Sequence, residues 1–323
     1  MSALKLSIVF FLLFIFHSVN AQKLSLDFYS KSCPSLAKTV KDTTASFIST
    51  APSLAPALLR MHFHDCFVDG CDGSILLNST GSNTAEKDAI PNLSLRGFQV
   101  IDAVKLEVEK KCPGKVSCAD ILALVARDAV SQIKGPHWNV TLGRRDGKVS
   151  RAGQALANLP PAFFNISQLI ASFASKGLSV KDLVVLSGGH TIGNSHCSSF
   201  TTRIYNFTGR GDADPTMDPN YVKELKKVCR PTDTTTIVQM DPGSSKDFDN
   251  DYFSIVKKRR GLFQSDAALL NNPVTKNYIQ SHSFNGFDKT FFNDFAVSMQ
   301  KMGRIGVLTG TAGEIRRVCS VVN

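Results

Sequence analysis

Residues 58–74, LLRMHFHDCFVDGCDGS, carry an arginine, two histidines, three aspartates and two cysteines, and their reading decides the fold. The preceding run, residues 54–59, LAPALL, has helical character, with Pro52 and Pro56 suited to a first turn. If that helix continues to Asp65, Arg60 and His64 stand four apart and share a face. His62 lies two positions from His64, roughly 200° round the helix, and points elsewhere. An arginine and a histidine aimed at one cavity can move a proton and steady a developing negative charge. Cleavage of a peroxide O–O bond needs both. In an arbitrary helix the plainer reading is a core histidine beside a surface arginine; the acidic, cysteine-bearing run after this helix argues against it.

The segment RMHFHDCFVDGCDGS resembles the distal segment of the secretory plant haem peroxidases, the class III family. Residues 186–193, LSGGHTIG, resemble that family's proximal segment. Two such motifs in order and at suitable separation are more specific than either alone, and the likeness extends over nearly all of residues 22–323. The resemblance implies a mainly α fold: two helical lobes, distal and proximal, enclosing one haem b, with a minor short β-hairpin and four disulfides. It also implies an enzyme that reduces hydrogen peroxide and oxidises small phenolic donors in one-electron steps. The settings it suggests are wall cross-linking, lignin-type coupling, and peroxide or stress metabolism.

Chemistry gives each matched residue a task. A neutral histidine can take a proton from one peroxide oxygen and return it to the other, and His64 is the candidate. A neighbouring Arg60 cation lowers the histidine's pKa and stabilises charge on the leaving oxygen. Asn92, in PNLSLRGF, matches the family's asparagine that fixes the far imidazole nitrogen. Phe63 matches the aromatic at the haem edge, and Pro160 matches a residue whose carbonyl contacts aromatic donors. His190, in SGGHTIG, matches the axial iron ligand, and Asp266, in GLFQSDAAL, matches its carboxylate partner. His62 matches a non-catalytic histidine, and His196 stands off the ligand's face. Met240 replaces an aromatic found beside the proximal histidine in some members.

The run 65–74 alternates oxygen donors with turns, and calcium takes six to eight oxygens. The resemblance implies two Ca2+ ions. The first would be held by Asp65, Val68, Gly70, Asp72, Ser74 and, through water, Glu86. The second would use Thr191, Asp241, Ser244 and Asp249. Asp247 stands in that second loop, where its carboxylate could add charge. Without the resemblance, solvated acidic loops would be the better reading.

Residues 1–21 read as a signal peptide, with Lys5 before an apolar run and a small residue at Ala21. The mature domain, 22–323, then begins at Gln22, a residue that in this family often cyclises to pyroglutamate. Secretion to the apoplast or cell wall is the expectation, with no retention signal, no membrane span and no anchor. All eight cysteines lie beyond residue 21, and an even count in a secreted chain implies disulfides. Spacing leaves about 105 pairings open. The resemblance selects Cys33–Cys112, Cys66–Cys71, Cys118–Cys319 and Cys197–Cys229. Sequons occur at Asn78, Asn92, Asn139, Asn165 and Asn206. Asn92 is not expected to carry glycan if it sits in the site.

The formal charge is +10, and +9 without Lys5. Such a balance favours anionic surfaces, including acidic wall polysaccharide. Nucleic acid is not expected, because the basic residues are scattered apart from residues 257–260, KKRR, and no nucleic-acid motif accompanies them. For that tetrad a solvated run is the plain reading. Helical spacing marks residues 36–50, 95–110, 118–130, 167–175, 182–187, 221–228 and 291–302, while residues 143–146, GRRD, open a polar loop. No repeat or linker divides the chain, and a monomer is expected. Two rival readings stay open. One is a haem-binding or wall-binding protein with little turnover; the other is a metallohydrolase using His62 and His64.

Overall fold

The computed structural model describes residues 23–284, 286 and 288–323. The signal-peptide reading and Gln22 lie outside the described residues. The first half is built from α1 (Leu36–Thr50), α2 (Leu54–Val68), α3 (Phe98–Lys111), α4 (Cys118–Gln132) and the short α5 (Ala152–Asn158). The second half comprises α6 (Ile166–Ser175), α7 (Val180–Ser187), α8 (Thr201–Tyr205), α9 (Pro219–Val228), α10 (Asp251–Lys257), α11 (Gln264–Ala268), α12 (Pro273–His282) and α13 (Asp288–Met302). The small β component is a two-stranded antiparallel sheet, β1 (Asn194–His196) with β2 (Ile237–Gln239), which puts Ser195 opposite Val238. Its strands are joined by residues 197–236 rather than by a tight turn.

Helix α4 is the axle of the first half. Every residue from Cys118 to Val130 is buried, so it must be covered on all sides, and α1, α2 and α3 pack round it. Ser117 caps its first turn by accepting the Asp120 N–H at 3.1 Å. Ser117→Ala is expected to cost about 1 kcal/mol, a fall in Tm of about 2 °C measurable by calorimetry. In the second half, α7 packs on α6, α12 and α13, and a run of aromatic edges joins Phe248, Phe253, Phe291 and Phe295. Capping boxes at Asn165 with Gln168 and at Ser179 with Asp182 start α6 and α7 before the apolar spacing that marks them in sequence. One core runs through both halves. A smaller cluster around Phe200, Tyr221, Leu225 and Leu262 lies under α8 and α9.

The GRRD residues do begin a polar loop, but Arg144 and Asp146 within it are buried. Asp120 accepts from Arg144 Nη1 at 2.8 Å, the Gly143 N–H at 2.7 Å and Tyr29 Oη at 2.9 Å. Asp146 accepts from the N–H groups of Cys118, Ala119 and Arg316 at 3.1, 2.9 and 2.8 Å. Thus the C-terminal tail is stitched to the start of α4. The Cys118–Cys319 disulfide closes the same seam, and Cys33–Cys112, Cys66–Cys71 and Cys197–Cys229 are the other bridges.

Candidate active site

Helix α2 continues past Asp65 to Val68, so Arg60 and His64 do share a face. The segment carrying His190, the 3-10 turn Gly188–Thr191, lies against that helix. A Cβ on Gly189 would touch Leu59 at 3.5 Å, and one on Gly193 would press on Pro56 at 2.9 Å. Gly193 also has φ +93°, so a side chain there is excluded twice over.

On the distal side, His64 Nδ1 donates to Asn92 Oδ1 at 2.5 Å, and Asn92 Nδ2 donates to the Glu86 carbonyl at 2.6 Å. The amide cannot flip without losing both bonds, so the imidazole is held with its proton on Nδ1. Its Nε2 has no partner among the described residues. Burial first, then the Arg60 charge, hold His64 well below the usual histidine range, and the Asn92 bond only partly offsets them. The side chain is therefore neutral and basic at one atom. Arg60 donates to Ser94 Oγ at 2.9 Å and to the Pro91 carbonyl at 2.7 Å. One loop, residues 91–94, thus fixes both groups. Asn92→Val leaves the imidazole N–H unpaired and is expected to slow reaction with peroxide about tenfold in stopped-flow traces. Phe63 is half-buried, edge-on to His64 at 5.4 Å and against Phe67 at 4.4 Å.

His62 turns away. A Cβ on Gly303 would meet both Arg144 and His62, and burial with the Arg144 charge pushes His62 down to about 3. Its Nδ1 lies 3.6 Å from Cys66 Sγ, whose thiol is consumed in a disulfide. His62 and His64 are not brought together as a ligand pair.

On the proximal side, His190 Nδ1 lies 2.8 Å from Asp266 Oδ1. Tyr252 Oη donates to the same oxygen at 2.9 Å, and the Phe263 N–H donates to Oδ2 at 2.9 Å. Burial pushes the Asp266 carboxyl up, but His190 and these donors outweigh it and keep it below the carboxylate range. The His190 side chain is 38% exposed although its carboxylate partner is buried. Its Nε2 is unpartnered among the described residues, so the donor atom suited to an iron is free. The rings of Phe263 and Tyr252 stand edge-on to the imidazole at 5.3 and 5.8 Å. Met240 is buried in the cluster with Phe200 and Tyr221. Sequence reasoning missed Tyr252 and Ser94, since neither stands in a motif that names its partner. Pro160 is half-buried in the loop between α5 and α6, a loop tied to the Asp266 segment by the Ser265 N–H on the Ala162 carbonyl at 2.9 Å.

The first acidic cluster fits a cation. Glu86 is wholly buried, yet neither carboxylate oxygen has a hydrogen-bond partner, and the buried Ser74 Oγ also has none. Asp65 is driven well above the carboxylate range by burial and by Asp72, and Glu86 up to about 9 by burial and by Asp65. Such a set asks for a positive charge in its midst. Gly70, at φ +108°, lets the loop backbone meet Gly306, where a Cβ would lie 2.5 Å from the carbonyl. The Val68 carbonyl accepts from Lys176 Nζ at 3.2 Å. In the second cluster Thr191 Oγ1 donates to Asp249 at 2.6 Å and lies 3.2 Å from an Asp241 oxygen, while Ser244 Oγ is buried. Asp241 is pushed up to about 7 by burial, then by Asp249 and Asp251. The Asp247 carboxylate pairs with Lys134 Nζ at 2.8 Å.

A family model described as peroxidase matches residues 40–285. Peroxidase 56 of Arabidopsis thaliana is 56% identical over 318 residues, which cover 98% of this chain and 96% of that protein. Peroxidase 3 of the same plant is 57% identical over 323 residues, with 99% and 98% covered. Peroxidase 1 of Oryza sativa subsp. japonica is 57% identical over 312 residues, with 95% of each covered.

Proposed function

Starting from the fact that this chain belongs to the class III peroxidase family and is a haem enzyme that uses hydrogen peroxide, we propose that it oxidises small phenolic donors by single electrons outside the cell. The observation that carries this reading is a neutral, oriented His64 beside Arg60, with an unpartnered His190 Nε2 on the segment packed against the same helix. One haem b would be held by His190 and would supply the electrons that split the O–O bond. It would be restored by one electron from each of two donor molecules.

The protein moves the protons. His64 Nε2 takes the proton from the near peroxide oxygen and delivers it to the far one, so that the far oxygen leaves as water. Arg60 steadies the negative charge that gathers on that oxygen before the proton arrives. Asp266 accepts the His190 N–H and keeps the ring's other nitrogen electron-rich. Phe63 and the Pro160 carbonyl bound the edge where a phenol would approach. Two calcium ions would be held at the Asp65, Asp72, Ser74 and Glu86 cluster and at the Thr191, Asp241, Ser244 and Asp249 cluster, and would offset buried negative charge there.

No helix among the described residues is long and apolar enough to cross a membrane. Secretion into the apoplast rests on the leader reading and four disulfides, and glycan on exposed Asn78, Asn139, Asn165 or Asn206 goes with it, whereas Asn92 is buried. Retention on acidic polysaccharide is supported by the net charge and by Lys258 and Arg259, which face solvent. Their neighbours are engaged: Lys257 lies over the Phe284 ring at 4.1 Å and Arg260 against Tyr221 at 5.6 Å. The enzyme acts as a monomer. The test is rapid mixing of the haem-loaded protein with one equivalent of hydrogen peroxide. A fast Soret change that a phenol reverses in two steps supports the reading; a spectrum indifferent to peroxide overturns it in favour of a haem-binding protein.

A further inference from the structure

Tyr252 enters the site by a route that no motif marks. It sits on α10, Asp266 on α11 and His190 on the 3-10 turn Gly188–Thr191, so three elements converge on one carboxylate. Gly261 makes the approach possible, since a Cβ there would lie 2.6 Å from the Asp266 Cβ. Both Tyr252 and Asp266 are 1% exposed, so water does not compete for the bonds between them.

The arrangement is a competition for charge. The His190 Nδ1–H and the Tyr252 hydroxyl both address Asp266 Oδ1, at 2.8 and 2.9 Å. Each donor draws electron density from the oxygen it shares. The more density the phenol takes, the less strongly that oxygen pulls on the imidazole proton. Phe263 N–H occupies Oδ2, so the carboxylate has no unencumbered oxygen to offer His190 instead. We propose that Tyr252 is a positioning residue that sets the basicity of His190 by sharing Asp266 Oδ1, holding the imidazole short of imidazolate character. The proposal rests on the reading of His190 as the iron ligand. The tyrosine is suited to the task because it is buried and its hydroxyl lies 2.9 Å from that oxygen.

The sign is fixed by the geometry. Removing the hydroxyl returns density to Oδ1, strengthens its bond to the His190 N–H and makes Nε2 a stronger donor to iron. In the haem-loaded Tyr252→Phe variant the iron–histidine stretching band of the ferrous form moves to higher frequency, and the ferric/ferrous potential becomes more negative. Phe263→Leu removes a ring edge of His190 but keeps the backbone N–H, and leaves both readouts in place. Global incorporation of 3-fluorotyrosine keeps every ring and makes the phenol a stronger donor, which shifts the band the opposite way. It also serves if the phenylalanine variant does not load haem. Wild-type protein lacking any iron–histidine band would overturn the ligand reading itself. With the band present, an unmoved Tyr252→Phe band, an equal shift in Phe263→Leu, or shifts of one sign in both tyrosine replacements would show that Tyr252 only fills space.

Discussion

His64→Leu lowers the rate of reaction with hydrogen peroxide by about 10²–10⁴-fold, the range that a positioned acid–base group supplies, while haem content is retained. The loss is chemical rather than structural, because the ligand assigned to iron, His190, is on another element and its bond to Asp266 does not involve α2. Arg60→Leu costs about 10²–10³-fold, the worth of one preorganised donor at a developing negative charge. The two variants differ in pH dependence. With Arg60 present, the rate is flat through neutrality and falls only where His64 gains a proton, well below the usual histidine value. Without the Arg60 charge, burial alone depresses that pKa, so the acid limb moves up towards the ordinary 6.5. Stopped-flow rates across pH 3–8 check this, and an unmoved limb would show that Arg60 does not act on His64.

Removal of the calcium proposed at the Glu86 cluster has the second large effect, and the ion-free protein's pH dependence runs opposite to that of ordinary acid denaturation. In the ion-free protein the buried carboxylates have raised pKa values, so folding favours their protonated forms. Their contribution is fully present below the unfolded pKa and is lost as pH rises through the folded one. For Glu86 that window runs from about 4.5 to about 9. At pH 7 it corresponds to roughly 3 kcal/mol, or a fall in Tm of about 6 °C. A bound divalent ion reverses the sign: it depresses the same pKa values, so the loaded protein loses stability as pH falls. Thermal melts with and without chelator at pH 5, 7 and 9 separate the cases. If both curves tilt the same way, the cluster holds no ion. The loss also reaches the distal histidine, because the Glu86 carbonyl anchors Asn92.

The distal site is legible in sequence because its geometry is local. Arg60 and His64 are one helical turn apart, and a helix long enough to hold both can be read from residues 54–65 alone. His190 and Asp266 can be paired only through the resemblance, since 76 residues separate them. Tyr252 escapes, because its role depends on how α10 meets α11, which spacing does not encode. The short helices α5, α10 and α11 have only five to seven residues each, too few turns to show a period. The GRRD loop is legible as polar, but its burial is not. Charge predicts exposure unless partners are known, and those of Arg144 and Asp146 lie on α4 and in the C-terminal tail.

The seam between α4 and the tail has a consequence for the order of synthesis. Cys118 and Cys319 are 201 residues apart, and Arg316 brings the Asp146 cap its last donor. At roughly 5–20 residues per second, Cys118 waits about 10–40 s for its partner to be made. Throughout that interval Cys112, the proper mate of Cys33, stands only six positions away from an unpaired competitor. The first half of the chain can therefore assemble its helices early but cannot be locked until residue 319 has been made. A chain cut short of residue 319 carries an open thiol at the foot of its central helix.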